Sequence, residues 1–115
     1  VVVWGPADAE GVRTPALGAK VETNGTAEFG PEYLNPAEEL TTAGPFADPE
    51  GGITAGGIAS FFNVDPANVD FTVTAEGHVC SPGPASGFAS ESGTVSGKVE
   101  ANRVSYFVVV CDVAP

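Results

Sequence analysis

The sequence predicts an all-β fold built as an antiparallel β-sandwich, with one short helical turn and one disulfide bond. Fifteen glycines and ten prolines among 115 residues indicate many turns and short elements. Several runs rich in valine, threonine and phenylalanine have the composition and period of strands. The two cysteines, Cys80 and Cys111, fall in or beside such runs. At this length the chain is expected to form a single domain covering residues 1–115.

The densest apolar run lies at residues 104–113. It is too short to cross a membrane as a helix and too rich in valine to favour a soluble helix. We therefore expect a strand buried on both faces at the centre of the sandwich.

The N-terminal third begins with a short apolar segment that ends at Gly5-Pro6, which predicts an edge strand made of Val1, Val2, Val3 and Trp4. Further on, Asn24-Gly25 between extended flanks predicts a two-residue type I′ hairpin, because both central residues of that turn need positive φ. Together with Thr26 the same residues form a glycosylation triplet, so Asn24 is also a candidate glycan acceptor. The turn is the primary interpretation.

The middle of the chain carries one helix signal and one strand signal. Residues 35–40 combine a capping asparagine, a proline at the first helical position and a glutamate three residues after the cap, which predicts a short helical turn. Residues 58–64 predict a strand that is stopped by Asp65-Pro66.

The last third has the most regular pattern. Residues 71–76 alternate apolar and polar side chains, and residues 94–100 do so again, so both segments predict strands with one buried face. Gly77 is expected to form a bulge or kink, and residues 81–92 to form a loop. With residues 104–113 the two alternating segments predict an antiparallel meander.

The cysteine count of two permits a single pairing. A Cys80–Cys111 disulfide would tie the first strand of the meander to its last and indicates an oxidising compartment, hence a secreted or cell-surface protein. The spacing of strands joined by Gly and Pro loops resembles the immunoglobulin class in architecture. Trp4 lies far from both cysteines, so the Cys-Trp-Cys spacing of antibody domains is absent.

The large negative net charge argues against several classes of binding partner. Four basic residues face fifteen acidic ones, the formal net charge is −11, and no Lys or Arg occurs between residues 21 and 97. Nucleic acid binding needs clustered cations, and an anionic membrane surface attracts them, so neither partner is expected. No run long enough for membrane insertion is present. The first residue is Val, which either signal-peptide cleavage or initiator-Met removal would explain.

The residue types that carry chemistry are sparse. His78 is the single histidine, and its neighbour Cys80 has a disulfide partner in Cys111, so a Cys-His nucleophile pair is not favoured. Asp65 and Asp70 are weak candidates for calcium ligands at a loop tip, although they match no EF-hand pattern. No cofactor and no catalytic set are expected.

Three functions remain open from the sequence. The first is a non-catalytic extracellular structural or adhesive module, with a protein partner or a second copy as its ligand; in its sharper form it is a pilus-like filament subunit whose residues 1–4 complete the sheet of the next subunit. The second is a small secreted hydrolase or enzyme inhibitor that uses acidic loops. The third is a virion surface or decoration protein.

Overall fold

The structure is a computed structural model that describes residues 1–34, 52–53, 57–83, 88–91 and 93–115. These residues form ten β-strands and no helix, which confirms the all-β prediction. The helical turn predicted at residues 35–40 lies outside the described residues. In chain order the strands are β1 (Val2–Ala7), β2 (Arg13–Pro15), β3 (Lys20–Thr23), β4 (Ala27–Tyr33), β5 (Ala59–Val64), β6 (Ala67–Thr74), β7 (His78–Pro82), β8 (Phe88–Glu91), β9 (Thr94–Val99) and β10 (Val108–Val113).

The strands form three sheets. A mixed sheet has the order β2-β1-β10-β7, in which β1 and β10 run parallel and the other pairs run antiparallel. A fully antiparallel sheet has the order β3-β6-β9-β8, and β4 pairs with β5 in a two-stranded sheet. A bridge between Val2 and Ile58 links the start of β5 to β1, so the two-stranded sheet adjoins the mixed sheet.

One hydrophobic core draws residues from all three sheets. The alternation predicted for residues 71–76 is observed in β6, where Phe71 and Val73 are buried and Thr74 is exposed. Phe71 is central to the core: its ring centroid lies 5.3 Å from that of Phe61 and 4.8 Å from that of Phe107. In β9 the same period buries Val95 completely.

The predicted hairpin at Asn24-Gly25 is wrong. β3 pairs with β6 and β4 pairs with β5, and neither Asn24 nor Gly25 has the positive φ that a type I′ turn requires. The reason is a long-range contact. The Asn24 amide N–H donates to the Asp70 carbonyl at 3.2 Å, which keeps this segment alongside β6 instead of folding it back on β3.

The predicted meander is also only partly correct. β6 and β9 are antiparallel neighbours, but β10 belongs to the mixed sheet. Gly77, at φ +71°, lies in a turn that carries the chain from β6 in one sheet to β7 in the other, so the residue does more than kink a continuous strand. Residues 81–92 are not one loop, since Ser81 and Pro82 pair with β10 and a strand forms at Phe88–Glu91.

The C-terminal strand is central, as predicted, because β10 lies between β1 and β7. It is shorter and less buried than expected. Val109 and Cys111 face the core, whereas Val113 is exposed, and Val104 and Tyr106 are 81% and 74% exposed. β1 begins opposite Val108, and β7 ends opposite Val109. Residues 104–106 therefore lie beyond both neighbouring strands of β10.

Candidate functional site

The N-terminal segment is bonded on both sides. On one side, the Val1 amino group donates to the Ala59 carbonyl at 2.7 Å, and the Val3 amide donates to Gly57 at 2.9 Å. On the other side, the Val2 amide donates to the Phe107 carbonyl at 2.8 Å. The expected edge strand is thus an interior strand.

Side chains of this segment alternate between the core and the outer surface. Val3 is completely buried among core residues, and Trp4 is 36% exposed on the opposite face. Val3 lies beside Val109 in the parallel register, and Trp4 lies beside Val110. Since hydrogen bonds and burial both hold β1 in place, the strand completes the mixed sheet of its own chain.

β1 is joined to β2 by a compact turn. The Asp8 carboxylate accepts hydrogen bonds from the amides of Glu10 at 3.0 Å and Val12 at 2.8 Å. Gly11, at φ +84°, takes the left-handed conformation that this turn needs. A side chain that accepts from its own following amides stabilises a turn locally. The turn therefore favours the antiparallel pairing of β1 with β2 within one chain.

Burial lowers the pKa of the Val1 amino group from 8.0 to about 6. The cause is loss of water around the charged form, which a single backbone carbonyl at Ala59 replaces only in part. In a chain that begins at Val1, the start of β1 is therefore a place in the mixed sheet where a change near neutral pH is expected to act.

The cysteine prediction is confirmed. Cys80 and Cys111 form a disulfide across the adjacent strands β7 and β10, where they are direct partners in the antiparallel register. Both residues are buried. The crosslink joins two strands of one sheet, and with both sulfurs bonded it leaves no thiol to pair with His78. The His78 ring Nδ1 instead lies 2.7 Å from the Glu76 carbonyl.

Asn24 and Asp70 belong to one polar network on the outer face of the antiparallel sheet. The Asp70 carboxylate accepts from the Asn24 side-chain amide at 3.2 Å and from the Ser96 hydroxyl, and the Asp70 backbone amide donates back to the Asn24 side-chain oxygen Oδ1 at 2.8 Å. Asn24 is exposed, which leaves it accessible to a glycan, and its glycosylation stays a prediction. The sequence identified Asp70 only as a candidate oxygen ligand, and its partner Asn24 is 46 residues away in sequence.

Asp65 does not join that network. The described residues contain no group of three His, Cys, Asp or Glu side chains arranged to hold a metal ion. Calcium binding by Asp65 and Asp70 has no support from the geometry, because the nearest partners of the Asp70 carboxylate are Asn24 and Ser96.

Two polar side chains on β4 are buried, which the sequence did not predict. The Tyr33 hydroxyl accepts a hydrogen bond from the Val21 amide at 3.2 Å, on the side of β3 that faces away from β6. Burial raises the pKa of Tyr33, and the bond from Val21 partly opposes that rise. Glu32 is 2% exposed, and one of its carboxylate oxygens has no hydrogen-bond partner among the residues that the structure describes. The sequence predicted no strand at residues 31–33, and so neither side chain was expected to be buried.

Comparison with protein-family models, with curated proteins and with solved structures finds no match to the chain. Within the described ranges no helix is long and apolar enough to cross a membrane. The strongest structural candidate for function is accordingly the N-terminal strand and the position it occupies in the mixed sheet.

Proposed function

We propose that the protein is a non-catalytic extracellular structural or adhesive module, secreted or held at a cell surface, and that β1 is the element through which copies assemble. The observation that carries the proposal is the position of β1: it lies inside the mixed sheet between β2 and β10, and its first residues bond to Gly57, Ala59 and Phe107. The disulfide in a small all-β domain supports an oxidising environment.

Strand exchange would reuse contacts already present. The first residues of β1 bond to Gly57, Ala59 and Phe107, and a β1 from another copy would meet the same partners. If each copy gave its β1 to the next copy, the contacts would be head to tail and would continue as a filament.

We also propose that the domain has an immunoglobulin-like architecture. Support comes from the two four-stranded sheets that share one core. In the parallel β1–β10 pair, the strand that would be exchanged lies inside the mixed sheet.

Mixed single-cysteine variants test exchange directly. Val3 and Val109 are register partners and both are 0% exposed, so Val3→Cys and Val109→Cys place thiols inside the core. After the two variants are mixed at high concentration, incubated and oxidised, exchange predicts a covalent heterodimer on non-reducing electrophoresis. Molecules that keep their own β1 would hold the two thiols in separate cores.

Two controls define the result. The double variant Val3→Cys/Val109→Cys should crosslink within one chain, which shows that the geometry permits the bond. Val21→Cys mixed with Val73→Cys is the matched pair, because these buried register partners lie in the antiparallel sheet and do not involve β1. A heterodimer that forms equally in both mixtures, or in neither while the double variant crosslinks, contradicts strand exchange.

The turn after β1 provides a graded test. Asp8→Ala removes the acceptor for the Glu10 and Val12 amides, so it weakens the compact turn that favours the closed chain. We expect this variant to raise the crosslinked fraction in the Val3/Val109 mixture. An unchanged crosslinked fraction would show that the Asp8 turn does not control strand exchange.

A further inference from the structure

The outer faces of the two four-stranded sheets differ sharply in polarity. In the antiparallel sheet the outward side chains of β6 and β9 are polar, and Thr72 and Thr94 bond to each other at 3.1 Å. In the mixed sheet the register and alternation place five apolar side chains on the outer face, which we call the apolar face: Val2, Trp4, Val79, Val108 and Val110. On a sheet face that contacts only water, the outward positions of the strands are expected to carry polar side chains.

The apolar face is accessible. Trp4 is 36% exposed and Val79 is 50% exposed, and Val110 lies between their strands in β10. At one end Arg13 crosses β1, where its Nη1 donates to the Gly5 carbonyl at 2.8 Å and to the Asp112 carboxylate at 2.7 Å. Among the outward side chains of the described strands in this sheet, this pair supplies one positive and one negative charge, which cancel.

We propose that the apolar face is a self-association surface, occupied by the same face of a second copy. The chain carries a net charge of −11, so two copies repel each other over most approaches. A neutral face minimises that repulsion where the surfaces touch. Like faces brought together by a two-fold axis form an isologous contact, which closes at two copies.

The size of the face sets the expected strength. The three strands that carry it, spaced about 4.8 Å apart and about five residues long at 3.3 Å each, cover roughly 240 Å² in plan. Stable complexes bury about 800 Å² on each partner. The contact is therefore weak for free molecules and becomes effective where copies are held close together, as on a crowded surface.

This inference does not depend on strand exchange, and its salt dependence is distinctive. Raising NaCl from 20 mM to 500 mM shortens the screening length from about 20 Å to about 4 Å. Repulsion between the two acidic copies falls while the apolar contact persists. Association is therefore expected to strengthen with salt, opposite to the behaviour of an interface held by ion pairs.

Sedimentation of the intact chain between about 10 µM and 1 mM measures the association at both salt concentrations. Trp4 is the single tryptophan and lies on the apolar face, so its emission reports contact there without any substitution. The expected result is a mass that rises toward a dimer at high concentration and high salt, with a blue shift of the emission over the same range.

Two valines of the β7–β10 pair give a matched set of variants. Val79→Lys places a charge on the apolar face, and we expect it to weaken association at least tenfold. Val113→Lys makes the same change at a 65% exposed position that alternates with Asp112 and lies on the opposite face, and we expect association within twofold of the original. Circular dichroism checks that both variants are folded.

Three outcomes overturn the proposal. The first is a monomer at 1 mM in 500 mM NaCl. The second is association without a change in Trp4 emission, which would locate the contact elsewhere. The third is equal weakening by Val79→Lys and Val113→Lys in folded protein. None of these outcomes bears on the crosslinking of buried thiols at positions 3 and 109, so the two proposals fail independently.

Discussion

Removal of the disulfide should lower stability by an amount that the sequence separation determines. Cys80 and Cys111 are 31 residues apart, and closing a loop of that length in the unfolded chain corresponds to about 3.7 kcal/mol in the chain-entropy model. For a chain of 115 residues the unfolding entropy near the midpoint is about 0.24 kcal/mol/K, so the loss corresponds to a fall in Tm of about 15 °C. The double variant Cys80→Ala/Cys111→Ala is the direct perturbation.

The location of the crosslink sharpens the expectation. β7 is the outermost strand of the mixed sheet and pairs with β10 from Pro82 to His78. Without the covalent bond, only backbone pairing and the burial of neighbouring side chains keep β7 against β10. We expect hydrogen exchange in β7 to accelerate more than exchange in β6.

Calorimetry of three forms separates crosslinking from packing. The oxidised chain, the chemically reduced chain and the alanine pair should decrease in Tm in that order, with most of the loss between the first two. The reduced chain is the control, because it keeps both sulfur atoms in the core. A reduced chain that melts within about 5 °C of the oxidised one would refute the entropy argument.

Three other changes have definite expected outcomes. Tyr33→Phe removes the acceptor of the buried Val21 amide and should destabilise by about 1–3 kcal/mol in urea unfolding, whereas loss of an exposed hydroxyl would be neutral. Gly97→Ala would bring a Cβ within 2.8 Å of the Phe107 Cζ, and since that ring is buried the cost should be about 1–3 kcal/mol; a neutral result would show that the ring can shift. In a chain that begins at Val1, the amino pKa of about 6 lies below its ordinary 8.0, so the unfolded state binds more protons between these values and stability should rise by at most about 3 kcal/mol from pH 6 to pH 8. Acetylation of that amino group should remove this part of the pH dependence, and an unchanged profile would contradict the assignment.

Local patterns predicted local structure well. The period-two alternation identified β6 and β9, and Asp65-Pro66 correctly marked the end of β5. These features depend on the φ preferences and burial of neighbouring residues, which a single sequence displays.

Which strands pair with each other could not be predicted from local sequence patterns. Asn24-Gly25 favours a hairpin in isolation, yet bonds to Asp70 decide its conformation. The disulfide could be inferred because two cysteines permit one pairing, but the sheet that contains it could not. Both faces of β1 and β10 carry valine, so the sequence shows no apolar–polar alternation that would distinguish the buried face from the outer one. The residues of the apolar face were therefore not distinguishable from core residues.

The parallel pairing of β1 with β10 governs the order in which the chain can fold. Val2 and Val108 are direct neighbours although more than a hundred residues separate them, whereas Phe71 and Val95 in β6 and β9 are joined by a far shorter segment. Closing the longer loop costs about 1 kcal/mol more in chain entropy, and distant contacts of this kind slow folding. The first residues of this chain are therefore among the last to acquire their native neighbours, and until then their valines are available to any other polypeptide close by.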